Sequence, residues 1–131
     1  MLLVLATVKP SQIHGLGLFA EAFIQRGARI WEVTPGYDIT IGDAALMCLP
    51  AVQRDQLRGH SFKDMHTGEW ILCADNDRYT NHADDPNTRE IHEAGTLGYS
   101  IAIRDIQPGE EITCDYRTFD ADWRRKLGRS S

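Results

Sequence analysis

At 131 residues the chain is long enough for one hydrophobic core and too short for two, because a domain of this size buries roughly two-thirds of the surface its unfolded form exposes. Hydrophobic residues at 42% and charged residues at 25% exclude a disordered or fibrous chain. A formal net charge of −5 disfavours non-specific binding to nucleic acid, whose phosphates need a basic face, and suits a lysine-rich partner.

The apolar run from Met1 to Ala6 has no basic flank and is too short for a secretory core or a membrane span. It reads as part of a buried strand, Leu2 to Val8, and no membrane attachment is expected. Ser11-Gln12-Ile13-His14-Gly15-Leu16-Gly17-Leu18-Phe19-Ala20 follows, a short Gly-x-Gly turn at which backbone groups can approach a small ligand. A bare Gly-x-Gly reads equally as a hairpin turn. Ala28 to Val33 and Tyr37 to Ile41 have the β-branched and aromatic content of strands. Asp43 is placed to cap a helical turn over Ala44 to Leu49, and Pro50 to open a second running to Leu57, before Gly59.

Strands are expected again at Trp70 to Ala74, Thr96 to Ile103 and Glu111 to Tyr116. Asp120 is a candidate cap for a last helix through Trp123 to Leu127, whose basic end Arg124-Arg125-Lys126 suits the helix dipole, with Gly128 to Ser131 as a tail. The fold class is therefore mostly β with short helices, in a single domain, 1–131, whose closing segment is 117–131. Cys48, Cys73 and Cys114 are odd in number and widely spaced, which fits reduced thiols and a cytoplasmic location.

Two segments carry more chemistry than a core or a solvated surface needs. Asn81-His82-Ala83-Asp84-Asp85-Pro86-Asn87 gathers an imidazole and two carboxamides around a proline-fixed turn. Pro108-Gly109-Glu110-Glu111-Ile112-Thr113-Cys114-Asp115-Tyr116 runs from a Pro-Gly turn through two acids into a strand that ends on a phenol. A metal reading of His82, Asp84, Asp85 and His92 fails, as does a calcium loop from Asp75 through Asp77 and Asn81, because its sixth and twelfth positions would be Thr80 and Pro86. No metal is expected.

In this order and spacing the three segments resemble the SET-domain family of S-adenosylmethionine-dependent protein lysine methyltransferases, from about Val8 to Tyr116; Ala102-Ile103-Arg104-Asp105-Ile106 is also typical of it. The resemblance implies a β-clip-like arrangement of several small curved sheets, with a knot-like threaded carboxy-terminal segment. It implies S-adenosyl-L-methionine as cofactor and methyl transfer to a lysine of a protein or peptide partner. Tyr116 matches the catalytic tyrosine. Gly15, Leu16 and Gly17 match the turn that offers main-chain groups to the cofactor, Asn81 and His82 the pair that holds it, and Arg78 and Tyr79 the Arg-aromatic pair before them. Trp123 is placed to cover the adenine, Asn87 to lock its loop, and Cys114 and Tyr99 to line the substrate channel.

The chain departs from the family's pattern at Ala83-Asp84, where relatives often carry Ser-Cys, and at Cys114, often aromatic. It departs again at Val33-Thr34-Pro35, where a second active-site tyrosine is common; Tyr37 lies on the other side of Gly36. These departures keep a second reading open, a catalytically weak binding module that acts as an interaction domain. A domain this small has little surface for substrate selection, so homodimerisation is expected.

Overall fold

The structure, a computed structural model, describes residues 1–128; the end of the expected tail, 129–131, lies outside the described residues. Three small sheets surround one core. In the first, β1 (Ala6–Pro10), β2 (Leu16–Ala20), β10 (Glu111–Cys114) and β7 (Asn81–His82) lie side by side in that order. The second has β3 (Arg29–Glu32), β9 (Tyr99–Ala102) and β8 (Thr88–Ile91); the third has β4 (Ile39–Ile41), β6 (Trp70–Leu72) and β5 (Ser61–Lys63). Most pairings are antiparallel, but β10 runs parallel to β7, with Thr113 opposite Asn81 and Cys114 opposite His82.

The inward faces of these strands meet in a cluster that includes Leu18, Ile30, Trp31, Ile71, Ala102 and Ile112, each almost fully buried. Burying one such Leu or Ile contributes about 1.5–3 kcal/mol, and strands this short hold their shape only because the sheets share that cluster. The expected strands are present but trimmed. Leu2 forms only an isolated bridge to Trp31, and the first strand proper begins at Ala6. Besides β2, which continues from the glycine turn, three strands were not expected, β5, β7 and β8; their polar sequences become strands because neighbours in the fold supply the pairing.

Helix α1 (Asp43–Met47) includes Asp43 instead of being capped by it: Gly42 is the cap, and the Asp43 carboxylate accepts a hydrogen bond from the Trp70 indole at 2.9 Å. Helix α2 (Ala51–His60) continues through Gly59, its cap being Pro50. Asp122 holds the N-cap position of helix α3 (Trp123–Lys126) without a side-chain capping bond, and the Asp120 carboxylate accepts from the Asp122 backbone N–H at 2.9 Å just ahead of the helix. Asp120 is fully buried. Its carboxylate accepts from the Lys63 amide at 3.1 Å and pairs with Lys126 at 2.7 Å, which fastens the carboxy-terminal segment to β5.

Candidate active site

The parallel β7–β10 pair brings the two chemistry-bearing segments into contact. Asn87 fixes them there. Its amide oxygen accepts from the Thr113 amide at 2.8 Å, its Nδ2 donates to the Glu111 carbonyl at 2.8 Å, and its own backbone N–H donates to the Thr113 hydroxyl at 3.2 Å. With the residue 2% exposed, those bonds replace water, so Asn87 locks the loop as its place in the motif suggests.

Asn81 makes a second set of ties. Its Nδ2 lies 3.0 Å from the His14 carbonyl, 3.1 Å from the Leu16 carbonyl and 3.0 Å from a Glu111 carboxylate oxygen. Glu111 also accepts from the Ser11 hydroxyl at 2.7 Å. The Asn81 carboxamide thus orients the glycine turn, and its donors are committed within the protein. Gly17 is explained by the same cluster: a Cβ there would stand 2.5 Å from the Glu111 carboxylate. Gly17 therefore serves close packing and does not line the cavity, whereas Gly15 and Leu16 do.

His82 joins the two segments at their functional end. Its Nδ1 accepts from the backbone N–H of Tyr116 at 3.1 Å, which puts the ring proton on Nε2, where it is donated to Asp84 at 3.0 Å. The Tyr116 hydroxyl donates to the Thr80 carbonyl at 2.7 Å, and burial pushes its pKa well above that of a free phenol, so it works as a neutral donor and acceptor. Asp115, just before it, is held below the usual carboxylate range by the Arg117 side chain, which grips it through two contacts of 2.8 Å.

These residues open onto a cavity of about 730 Å³, walled by Gly15, Leu16, Asn81, His82, Tyr116 and Cys114, with Arg78 and Tyr79 at the same wall. The rings of Trp31, Phe62, Phe119 and Tyr116 pack edge to face in succession, with centroid separations of 6.2, 5.2 and 6.1 Å. A second cavity of about 40 Å³ adjoins it. Phe62, Glu90 and Phe119 line both and so stand between them.

Besides Asp120, which is paired with Lys126, two carboxyls line the main cavity. Asp77, in the 3-10 turn Asn76–Tyr79, is pushed up to about 7 by burial and by neighbouring Asp75. Glu90, on β8, is pushed up to about 8 by burial first and then by Asp77 and Asp64. Burial and nearby carboxylates likewise raise the Cys73 and Cys114 thiols, so both are protonated. Among the described residues no group of three or more His, Cys, Asp or Glu side chains is arranged to hold a metal ion.

Besides Gly17, two expected site residues lie elsewhere. Tyr99 pairs with Ile91 across β8 and β9, while Glu90 pairs with Ser100. Strand alternation turns Tyr99 to the face opposite Glu90 and Ser100, where its hydroxyl donates to Glu93 at 2.6 Å under the Arg29 guanidinium. Trp123 is half-buried against Arg124, 4.6 Å from its ring, and lines neither cavity. Ser11, Asp77, Thr80, Glu90 and Glu111 were not singled out beforehand. Glu111 lies inside a recognised segment and was within reach of the sequence; Glu90 lies outside every segment the sequence singled out.

The architecture is that of a SET domain. The chain matches the SET domain family across residues 15–117, well over half its length, and it belongs to that family of protein lysine methyltransferases. It is similar to a humanized mutant of the Chaetomium thermophilum Polycomb Repressive Complex 2 bound to an inhibitor, at 28% identity and a TM-score of 0.68, over 93% of this chain and 16% of that one. The same complex, in an autoinhibited conformation bound to S-adenosylmethionine, aligns at 27% identity and a TM-score of 0.67 over 94% of this chain and 16% of that one. A putative histone methyltransferase of Plasmodium falciparum has the same fold, at 19% identity and a TM-score of 0.62, over 86% of this chain and 93% of that one. This chain spans about a sixth of the length of the Polycomb chains it matches. Among curated proteins, none matches it.

SET-domain methyltransferases use S-adenosylmethionine, and the donor set here fits that cofactor. The main cavity has room for a nucleoside with an amino-acid arm. The Gly15-Leu16 turn supplies backbone polar groups at the wall, and the Asp77 and Glu90 carboxyls favour a positive charge inside.

Proposed function

We propose that this chain transfers a methyl group from S-adenosylmethionine to the side-chain amine of a lysine in a protein substrate. The observation that carries the reading is the junction of Tyr116 with His82: a buried, neutral phenol at the cavity wall, fixed through its own backbone N–H by the imidazole of the other motif. Gly15 and Leu16 would hold the cofactor from the wall, whose shape Asn81 and His82 fix through their bonds within the protein. When bound, the cofactor supplies a methyl group on a positively charged sulfur.

The remaining work belongs to the chain. Alignment of an amine with that methyl group is most of the catalysis in an in-line displacement. The Tyr116 hydroxyl offers its oxygen to polarised N–H or C–H groups beside it, and the edge-packed rings of Phe62 and Phe119 keep water from the reacting centre. A cytoplasmic location belongs to this reading, since Cys48, Cys73 and Cys114 are free thiols.

A second reading, a SET-like binding module with weak activity, is favoured by one observation. Tyr37 is 41% exposed and lines neither cavity, so the Val33-Thr34-Pro35 segment contributes no second tyrosine. One experiment separates the two. The protein is titrated with S-adenosylmethionine by calorimetry, then incubated with methyl-labelled cofactor and a proteome extract, and labelled lysines are sought by mass spectrometry. The enzyme reading expects both cofactor binding and labelled lysines, with label falling about a hundredfold or more in Tyr116→Phe at nearly unchanged cofactor affinity. Binding without label supports the module, and no binding removes the enzyme reading.

A further inference from the structure

We propose that Glu90 is the receptor for the substrate amine: its carboxylate binds the lysine ammonium inside the cavity and takes one proton from it before methyl transfer. The proposal rests on the methyltransferase reading above and names the group that selects and prepares its substrate.

Glu90 is where such a group has to be. Thr88 and Glu90 share one face of β8, and Thr88 is anchored to the strand that leads to Tyr116, its hydroxyl donating to the Thr113 carbonyl at 2.7 Å. Glu90 extends the same face by two residues, about 7 Å along the strand, into the partition between the large and small cavities. A substrate side chain that reaches Tyr116 through the main cavity meets this carboxyl on the same cavity's wall.

The carboxyl also lacks an internal partner. No hydrogen bond or ion pair links it to any described residue, and its pKa of about 8 has only burial and two neighbouring acids as causes. The groups facing it do not supply a cation. Its own sheet offers Ser100 from β9; β10 offers the protonated Cys114 thiol; the 3-10 turn offers Asp77, and the loop after β5 offers Asp64. His66 and His92, stacked with centroids 3.7 Å apart, line the small cavity on the outer side. Lys126 lines the main cavity, but its amine is committed to Asp120 at 2.7 Å and to the Ser61 carbonyl. An unpaired, partly buried carboxyl beside acids is destabilising to the apo protein, and a cation that enters the site relieves it. Glu90 thereby provides, from a different strand, a second polar group in a site to which the Val33-Thr34-Pro35 segment brings no tyrosine.

The proton step balances. A bound ammonium lowers the carboxyl's pKa, so Glu90 is ionised when substrate is present, while burial and the cofactor's positive charge lower the amine's from its usual value of about 10.4. One N–H bond of the ammonium breaks and one O–H bond forms on Glu90. The lone pair left on nitrogen forms the bond to the methyl carbon as the carbon–sulfur bond breaks, its electrons going to sulfur. The methylated amine leaves as a cation, and Glu90 returns its proton to solvent.

The test uses the full chain in three measurements. In protein labelled with ¹³C at glutamate carboxyls, the Glu90 signal is assigned as the one absent from Glu90→Gln and titrated with pH, with and without saturating n-butylamine as a lysine mimic. Its midpoint is expected to fall by about one pH unit or more with the amine; an unmoved midpoint overturns the proposal. In turnover on lysine peptides drawn from a degenerate library, Glu90→Gln is expected to lose about a hundredfold or more at pH 8, with cofactor affinity within twofold and thermal stability at pH 8.5 equal or higher. Turnover within threefold of the parent overturns the role of Glu90 while leaving the methyltransferase reading standing. A parent chain that binds no S-adenosylmethionine overturns both. If Glu90→Gln does not fold, Glu90→Asp provides the assignment and the amine-dependent midpoint decides.

Discussion

The two walls of the main cavity follow opposite rules. On the wall made by the β7–β10 pair, the amides of Asn81 and Asn87, the His82 imidazole and the Tyr116 hydroxyl all have partners within the protein. On the wall made by β8 and the 3-10 turn, the Asp77 and Glu90 carboxyls sit among other acids and are driven toward their neutral forms. The first wall uses polar groups to hold a shape; the second holds charge in reserve for what enters. Motif residues are thus not automatically ligand contacts. Their side chains here build the turn and the strand end whose backbone faces the cavity.

The most severe way to break the first wall is Asn87→Ala. It leaves the Thr113 amide and the Glu111 carbonyl without partners in a buried place, and a loss of about 2–4 kcal/mol in unfolding free energy is expected by denaturant titration. A loss below about 0.5 kcal/mol would mean that the loop is held by something else.

His82→Ala tests whether the imidazole serves Tyr116 or the cofactor. Loss of one orienting hydrogen bond is expected to lower turnover about tenfold while cofactor affinity stays within about threefold. The opposite pattern, weak binding with normal turnover of bound complex, would return His82 to direct cofactor contact.

The second wall is best probed by pH. Asp77 keeps its proton to about pH 7 in the folded protein, whereas in the unfolded chain it loses it near 3.8. Between those values the native state binds more protons than the unfolded state, so this group's contribution to stability falls as pH rises from about 4 to about 7 and is level above. Asp77→Asn should flatten that decline in melting temperature across the window, and an unaltered profile would show that Asp77 ionises normally. The smallest effect is expected from Trp123→Ala, with cofactor affinity unchanged within about twofold, since the indole lines neither cavity. A tenfold loss would put the ring back over the adenine.

Legibility followed the range of the interactions involved. The Asn81–Asn87 and Pro108–Tyr116 segments stand out because turn chemistry, clustered amides and a terminal phenol are local patterns, and they sufficed to identify the family. Caps and strand ends were misplaced where distant groups took over: Asp43 serves Trp70, and Asp120 serves Lys63 and Lys126. Tyr99 failed as a channel residue because one step along a strand reverses the facing of a side chain, and its register against β8 is set by pairing that no local pattern records.

By itself, the sequence determined a mostly β domain, the turn at Gly15 to Gly17, the two motifs and the place of Tyr116 within them, all carried by short-range preferences of glycine, proline, asparagine and β-branched residues. Only the tertiary structure decided that the Asn81 and His82 side chains face inward onto the protein's own groups, that Gly17 makes room for Glu111, and that Glu90 stands without a partner between two cavities. The physical reason is that satisfaction of a polar group is a property of its surroundings. A carboxamide and a carboxylate look alike in sequence whether they are fully bonded or waiting for a ligand, and burial among particular neighbours is what separates them.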